Sequence, residues 1–287
     1  MRQRIITGIF FTLGVCAFVI PSYWVPFLMV IFSIIVGAVS MREMVKALEE
    51  GNMVPSGVLI VFGGLISLLL VAICNFTGTD LITSLALYLV IMMLYSFACL
   101  VLPSVARKDG IYVRDGLITA GTILYITFPL YCLCALTLLM ENGWFYMVPA
   151  LMASWVSDVC AYFTGVTIGK HKIVPHISPK KTWEGCIGGA VGCAVIVMLY
   201  FDIVLLPVSK LDMNIFIASI ISFVLGFVMS VMSQLGDWLA SLVKRVVGIK
   251  DYGKIFPGHG GMLDRFDSSF FTLPTGVLLA IIPMLLV

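Results

Sequence analysis

Charge is scarce in this chain: Asp, Glu, Lys and Arg make up only 11% of its 287 residues, against 61% hydrophobic ones. No soluble domain tolerates that balance, because so much apolar surface cannot be hidden in one water-exposed globule. The net charge of +2 is too small to suggest nucleic-acid binding, so no nucleic-acid partner is expected. The eight cysteines form no C-x-x-C pair and have no ligand-like histidine beside them, which leaves them as buried, reduced thiols. Histidine itself is limited to three residues. No linker, internal repeat or low-complexity segment divides the chain into soluble-style domains. Nor does an A-x-A cleavage site follow the apolar run after Arg2 and Arg4, so that run reads as a retained first helix.

What the chain has in abundance is long uncharged runs. A bilayer core about 30 Å thick needs about 20 apolar residues per helix. Nine runs approach that length: 5–20, 24–40, 58–74, 81–102, 117–140, 144–168, 186–206, 215–235 and 269–287. The expected fold class is therefore an all-α integral membrane protein, a polytopic bundle of nine transmembrane helices. With the N-terminus in the cytoplasm, sixteen of the seventeen Lys and Arg residues, all but Lys210, fall on the cytoplasmic side. The C-terminus is then outside, and the expected location is a bacterial-type inner or plasma membrane, or an equivalent endomembrane. Residues 1–110 read as scaffold helices and 111–287 as the functional region of one continuous membrane domain. Its cytoplasmic loops, 169–185 and 240–267, hold all three histidines and most of the charged residues of 111–287.

An ionisable residue inside a span is costly and by default faces a bundle interior or a water-filled cavity. Asp158 lies within the sixth span, where Ser154, Asp158, Tyr162 and Gly165 recur at helical spacing. Asp237 ends the eighth, where Ser230, Ser233, Gln234, Asp237, Ser241 and Lys244 form a similar stripe. The two stripes are expected to line a polar cleft, with an interhelical hydrogen bond as the plainer alternative for Asp158. Asp202, near the outer end of the seventh span, is expected to snorkel to water.

Residues 241–267 read S-L-V-K-R-V-V-G-I-K-D-Y-G-K-I-F-P-G-H-G-G-M-L-D-R-F-D. This segment resembles the signature of the phosphatidate cytidylyltransferase, or CDP-diglyceride synthetase, family. The positions that carry the likeness are Ser241, Lys244, Arg245, Lys250, Asp251, Gly253, Phe256, Pro257, His259, Gly260, Gly261, Asp264, Arg265 and Asp267. A second family-like segment, S-P-K-K-T-W-E-G at 178–185, follows a span bearing W-x-x-D-x-x-A-Y at 155–162. The likeness is specific over 155–267 and rests on hydropathy before that. It implies a membrane enzyme that condenses CTP with phosphatidate to CDP-diacylglycerol and pyrophosphate, working among membrane phospholipids. It also implies a homodimer.

The chemistry of the residues agrees. Joining two anionic phosphates requires cations where charge accumulates, and carboxylates that hold Mg²⁺ in company with substrate phosphates. Asp237, Asp264 and Asp267 are the expected metal ligands, for one ion or two, or with a second monovalent cation beside it. Together with Lys244 they form the expected catalytic set. Lys244 and Arg245 suit the lipid phosphate, and Lys180, Lys181 and Lys250 the triphosphate or departing pyrophosphate. The segment 256–261 lets backbone N–H groups reach a phosphate through Gly260 and Gly261, while His259 bonds a phosphate or orders the turn. Ser178, Thr182, Glu184, Ser241, Arg265 and Asp158 complete the substrate-binding expectation. Two rivals remain at this level: a CTP-dependent kinase of a lipid alcohol, releasing CDP, and a transporter using Asp158 and Asp237 as coupling-ion sites, for which no matching repeat is present.

Overall fold

A computed structural model describes residues 2–106, 110–174, 178 and 181–286, with side chains from residue 6 onward. Backbone polar groups in lipid must be satisfied internally, which favours helices, and among the described residues every regular element is helical. The elements are α1 (Arg2–Val19), a 3₁₀ turn (Pro21–Tyr23), α2 (Phe27–Glu50), α3 (Gly57–Thr77), α4 (Leu81–Ala106), α5 (Val113–Leu139) and α6 (Gly143–Ile168). After them come α7 (Trp183–Tyr200), a π turn (Phe201–Leu205), α8 (Leu206–Ser209), α9 (Ile215–Val247), α10 (Leu263–Phe266) and α11 (Ser269–Leu285). Among the described residues nine stretches are long and apolar enough to cross a membrane, matching the nine read from sequence.

Two helices outrun their hydropathy. α2 continues past residue 40 to Glu50, and α9 past residue 235 to Val247. Both extensions, M-R-E-M-V-K-A-L-E-E and D-W-L-A-S-L-V-K-R-V-V, are amphipathic and rich in good helix formers, so they stay helical after the span has ended. Gly248 stops α9 at φ +77°, with Ile249 N–H donating back to Lys244 O at 2.9 Å. Residues 240–247, expected as loop, are therefore helix.

The chain forms two compact units, Met1–Met140 with Lys244–Arg265 and Glu141–Val243 with Phe266–Val287. In the first, α5 is the central helix, packed by α2, α3 and α4. Its hydroxyls are tied sideways: Tyr88 Oη to Thr127 Oγ1 at 2.7 Å, and Tyr131 Oη to Ser84 Oγ at 2.5 Å. The rings of Tyr88 and Tyr131 stack with centroids 4.1 Å apart. Such bonds satisfy groups that lipid cannot.

In the second unit α6 and α7 pack backbone to backbone. Gly185, Gly189 and Gly192 face Ala161, Ser157 and Cys160, and a Cβ on Gly189 would stand 2.9 Å from Ser157 O. This is the small-residue seam that lets membrane helices approach closely. Replacing Gly189 with leucine should push α7 off α6. Overpacking of this kind costs about 1–3 kcal/mol or more, so the tryptophan-fluorescence melting midpoint of Gly189→Leu in detergent should fall by several degrees; an unchanged midpoint would show the seam to be loose.

The serine stripes serve the same end. Ser154 Oγ bonds Ser269 Oγ at 2.8 Å, Ser157 Oγ bonds Ser230 Oγ at 2.6 Å, and Gln234 Nε2 donates to Cys186 O at 3.0 Å. These groups join α6, α7, α9 and α11 and do not line an open cleft, which corrects the expectation for Ser154, Ser230 and Gln234. Asp158 is exposed on α6 although Ser154, one turn earlier, is fully buried, so the two do not share one environment. Asp202 accepts from Ser219 Oγ at 2.6 Å, an interhelical bond in place of simple snorkelling.

Candidate active site

The signature segment of the first unit folds into a turn built around Asp264. Gly258 and Gly260 take φ +78° and +81°, closing the chain so that Phe256 N–H donates to Gly260 O at 2.9 Å and His259 N–H to Phe256 O at 2.8 Å. Any side chain at Gly260 would adopt a left-handed conformation and put its Cβ 2.6 Å from Asp264 Oδ2. That oxygen accepts from Tyr252 N–H at 2.8 Å and Gly261 N–H at 2.9 Å. The other, Oδ1, accepts from Lys244 Nζ at 2.8 Å. Only 13% of the Lys244 side chain and 4% of that of Asp264 are exposed, and Lys244 Nζ also lies 5.4 Å from the Tyr252 ring centre. One carboxylate thus fixes both arms of the turn and aims the lysine.

A second carboxylate holds the same turn from another helix. Glu43 of α2 accepts from Met262 N–H at 3.0 Å and Leu263 N–H at 2.8 Å. Gly253 and Gly261 both lie against Glu43, where a Cβ would collide with its carboxylate. α1 touches the turn too, through Thr7 Oγ1 donating to Pro257 O at 3.1 Å and the Phe11 and Phe256 rings meeting edge to face at 5.3 Å. Sequence reasoning left α2 as scaffold and missed Glu43. A signal was present: Val36, Ser40, Glu43 and Ala47 form one buried helical face, and an acid on such a face requires partners.

The second unit assembles a different cluster. Asp237 Oδ2 pairs with Lys181 Nζ, and Oδ1 accepts from Ser241 Oγ at 3.3 Å. Lys181 Nζ lies 5.6 Å from the Trp238 ring centre, an aromatic contact that sequence reading did not anticipate. Thr182 caps α7 by accepting from Gly185 N–H at 3.2 Å. Glu184 in the first turn takes Lys170 N–H at 3.1 Å and His171 Nδ1 at 2.6 Å, tying these two residues to the start of the helix. Glu184 is thereby a loop organiser. Ser178 N–H donates to Val174 O at 2.9 Å, while Lys180 and His176 lie outside the described residues. Asp267 belongs to this unit and accepts from Ser268 N–H at 2.7 Å. Arg245 and Lys250 are exposed.

Among the described residues no three His, Cys, Asp or Glu side chains make a preformed metal cage. Mg²⁺ does not need one, since it is commonly held by one or two carboxylates together with substrate phosphates and water. Asp237, with 31% of its side chain exposed, fits that role. Asp264 has both oxygens engaged and would offer Oδ1 only by releasing Lys244. Arg265 Nε and His259 Nδ1 in the first unit and Trp238 Nε1 in the second are buried with no hydrogen-bond partner among the described residues.

A family model for the cytidylyltransferase family matches residues 2–282. The chain belongs to that family, and its class is that of a nucleotidyltransferase with membrane-spanning helices. Among curated relatives, the phosphatidate cytidylyltransferase of Bacillus subtilis (strain 168) is 32% identical over 281 residues, covering 96% of this chain and 95% of that protein. That of Staphylococcus haemolyticus is 44% identical over 134 residues, 47% of this chain and 48% of the relative. That of Staphylococcus aureus (strain COL) is 44% identical over 137 residues with the same coverage. The match thus spans about half the length of the staphylococcal relatives and nearly all of the Bacillus one.

Proposed function

We propose that the chain condenses CTP with phosphatidate to CDP-diacylglycerol and pyrophosphate at the cytoplasmic face of the membrane. The observation that carries the reading is the glycine turn held on Asp264 with the Lys244 ammonium beside it, in a chain with nine helices, among the described residues, long and apolar enough to cross a membrane. An oxygen of the lipid phosphate attacks the α-phosphorus of CTP, the bond to the bridging oxygen breaks, and pyrophosphate leaves with that electron pair. The attacking phosphate is already anionic, so no general base is required. Asp237, with Asp264 and Asp267 as further candidates, would hold Mg²⁺, which when bound would neutralise phosphate charge. Lys244, Arg245 and Arg265 of the signature segment position phosphate. Orientation with the signature inward rests on sixteen of the seventeen basic residues falling on one side.

The test is purified protein with phosphatidate and labelled CTP. A labelled liponucleotide and pyrophosphate should appear in equal amounts, and chelation of divalent cations should stop the reaction reversibly. Release of CDP would instead make the chain a lipid kinase, and full turnover in chelator would remove metal from the reading.

A further inference from the structure

Apart from the signature turn, the first unit holds a groove of about 670 Å³ between α2, α3 and α5, within the ~300–1,000 Å³ typical of ligand pockets. Its inner end offers nothing polar to an occupant. Ser67 Oγ donates to Gly63 O at 2.9 Å, and the hydroxyls of Thr127 and Tyr131 are taken by Tyr88 and Ser84. Cys134 Sγ is bonded to Ser33 Oγ at 3.2 Å. With every such group satisfied inside the protein, that end suits hydrocarbon.

Along α2 the wall then changes in a fixed order. Ile34, Ala38 and Met41 are apolar, Arg42 and Lys46 follow, and Glu49 comes last. They share one face at helical spacing. Glu50, 4.0 Å from Lys46, places a second carboxylate at the same outer level. From the inside outward the groove reads hydrocarbon, cation, anion. Lys46 and Glu49 are separated by about 4.5 Å along the helix axis, a spacing that suits a phosphate and an ammonium joined by two carbons. A lipid bearing only negative charge would meet Glu49 and Glu50 as repulsion. The Lys46–Glu50 pair is 75% and 53% exposed, so a headgroup that offers each ion a partner competes with it at little cost.

We propose that this groove is a resident site for a zwitterionic aminophospholipid of the surrounding membrane. Acyl chains fill the apolar end, the phosphate sits at Arg42 and Lys46, and the ammonium sits at Glu49 and Glu50. Such a lipid is neither substrate nor product of the proposed reaction, so the site stands apart from it.

The test uses the full chain in nanodiscs of equal parts phosphatidylethanolamine and phosphatidylglycerol, followed by extraction into mild detergent and native mass spectrometry. Phosphatidylethanolamine should be retained on the wild type in preference to phosphatidylglycerol. Ala38→Trp, which fills the groove from an exposed position, should abolish retention. Glu49→Gln with Glu50→Gln should shift the preference about tenfold toward phosphatidylglycerol, and Arg42→Gln with Lys46→Gln should lose both lipids. CTP-dependent turnover, unchanged in these variants, certifies folding and separates this outcome from that of the proposed reaction. Undiminished retention in Ala38→Trp, or equal retention of the two lipids by the wild type, overturns the proposal. So does displacement by phosphatidate with a raised phosphatidate KM in Ala38→Trp, which would make the groove a substrate site. A smaller oligomer in that variant would show that a second copy of the chain covers the face instead.

Discussion

Asp264→Asn should lose turnover by at least about a hundredfold, the largest effect expected of any conservative substitution in the chain. The asparagine keeps the size of the side chain but withdraws the charge that faces Lys244 at 2.8 Å, where that lysine is 13% exposed. Leaving one member of a buried pair without its partner costs about 3–5 kcal/mol. It also replaces a charged acceptor of the Tyr252 and Gly261 amides with either a neutral oxygen or an amide donor turned against them. Lys244→Met alone should be inactive for the complementary reason, an aspartate left without its cation. The double variant Asp264→Asn with Lys244→Met decides what the pair is for. Removing both charges should restore much of the thermal stability lost by Asp264→Asn, because no uncompensated ion remains. Turnover should stay absent if Lys244 meets substrate phosphate. Recovery of turnover along with stability would confine both residues to holding the turn.

The helical architecture was legible because lipid leaves the backbone few alternatives, and runs of about 20 uncharged residues announce each crossing. The ends of α2 and α9 were not. Beyond residues 40 and 235 the sequence turns amphipathic, and hydropathy alone cannot tell such an extension from a loop. In the signature segment, glycines and charges showed that a phosphate-binding turn was to be expected, yet not that Asp264 would use both oxygens to build it. The same limit applies to Ser154, Ser230 and Gln234. A polar stripe on a membrane helix has one appearance in sequence whether it faces water or another helix, and here it bonds other helices. Glu43 is the clearest case. Its partners, Met262 and Leu263, stand 219 and 220 residues away, and backbone N–H groups leave no trace in side-chain composition.

Glu43→Gln therefore tests something no motif announced. The carboxylate receives two backbone N–H groups, one on each oxygen. Glutamine offers one oxygen and one NH₂, so a donor is set against a donor. The loss of one bond to a charged acceptor and the desolvation of an unsatisfied N–H together cost about 1–3 kcal/mol, which corresponds to a fall of about five- to 150-fold in the closed-to-open ratio of the turn. Turnover should fall by a similar factor, and amide hydrogen exchange at Met262 and Leu263 should quicken while that of α5 stays slow. Glu43→Asp should not rescue, because its shorter side chain falls short of both amides. Gly261→Ala should reproduce the defect from the other side, since its methyl would occupy the space of the Glu43 carboxylate. A Glu43→Gln variant with wild-type turnover and unaltered exchange at both amides would show that the turn closes on Asp264 alone. The expected order, Asp264→Asn more severe than Glu43→Gln, follows from the charges each leaves behind: the first strands a buried ammonium, whereas the second strands only a neutral amide.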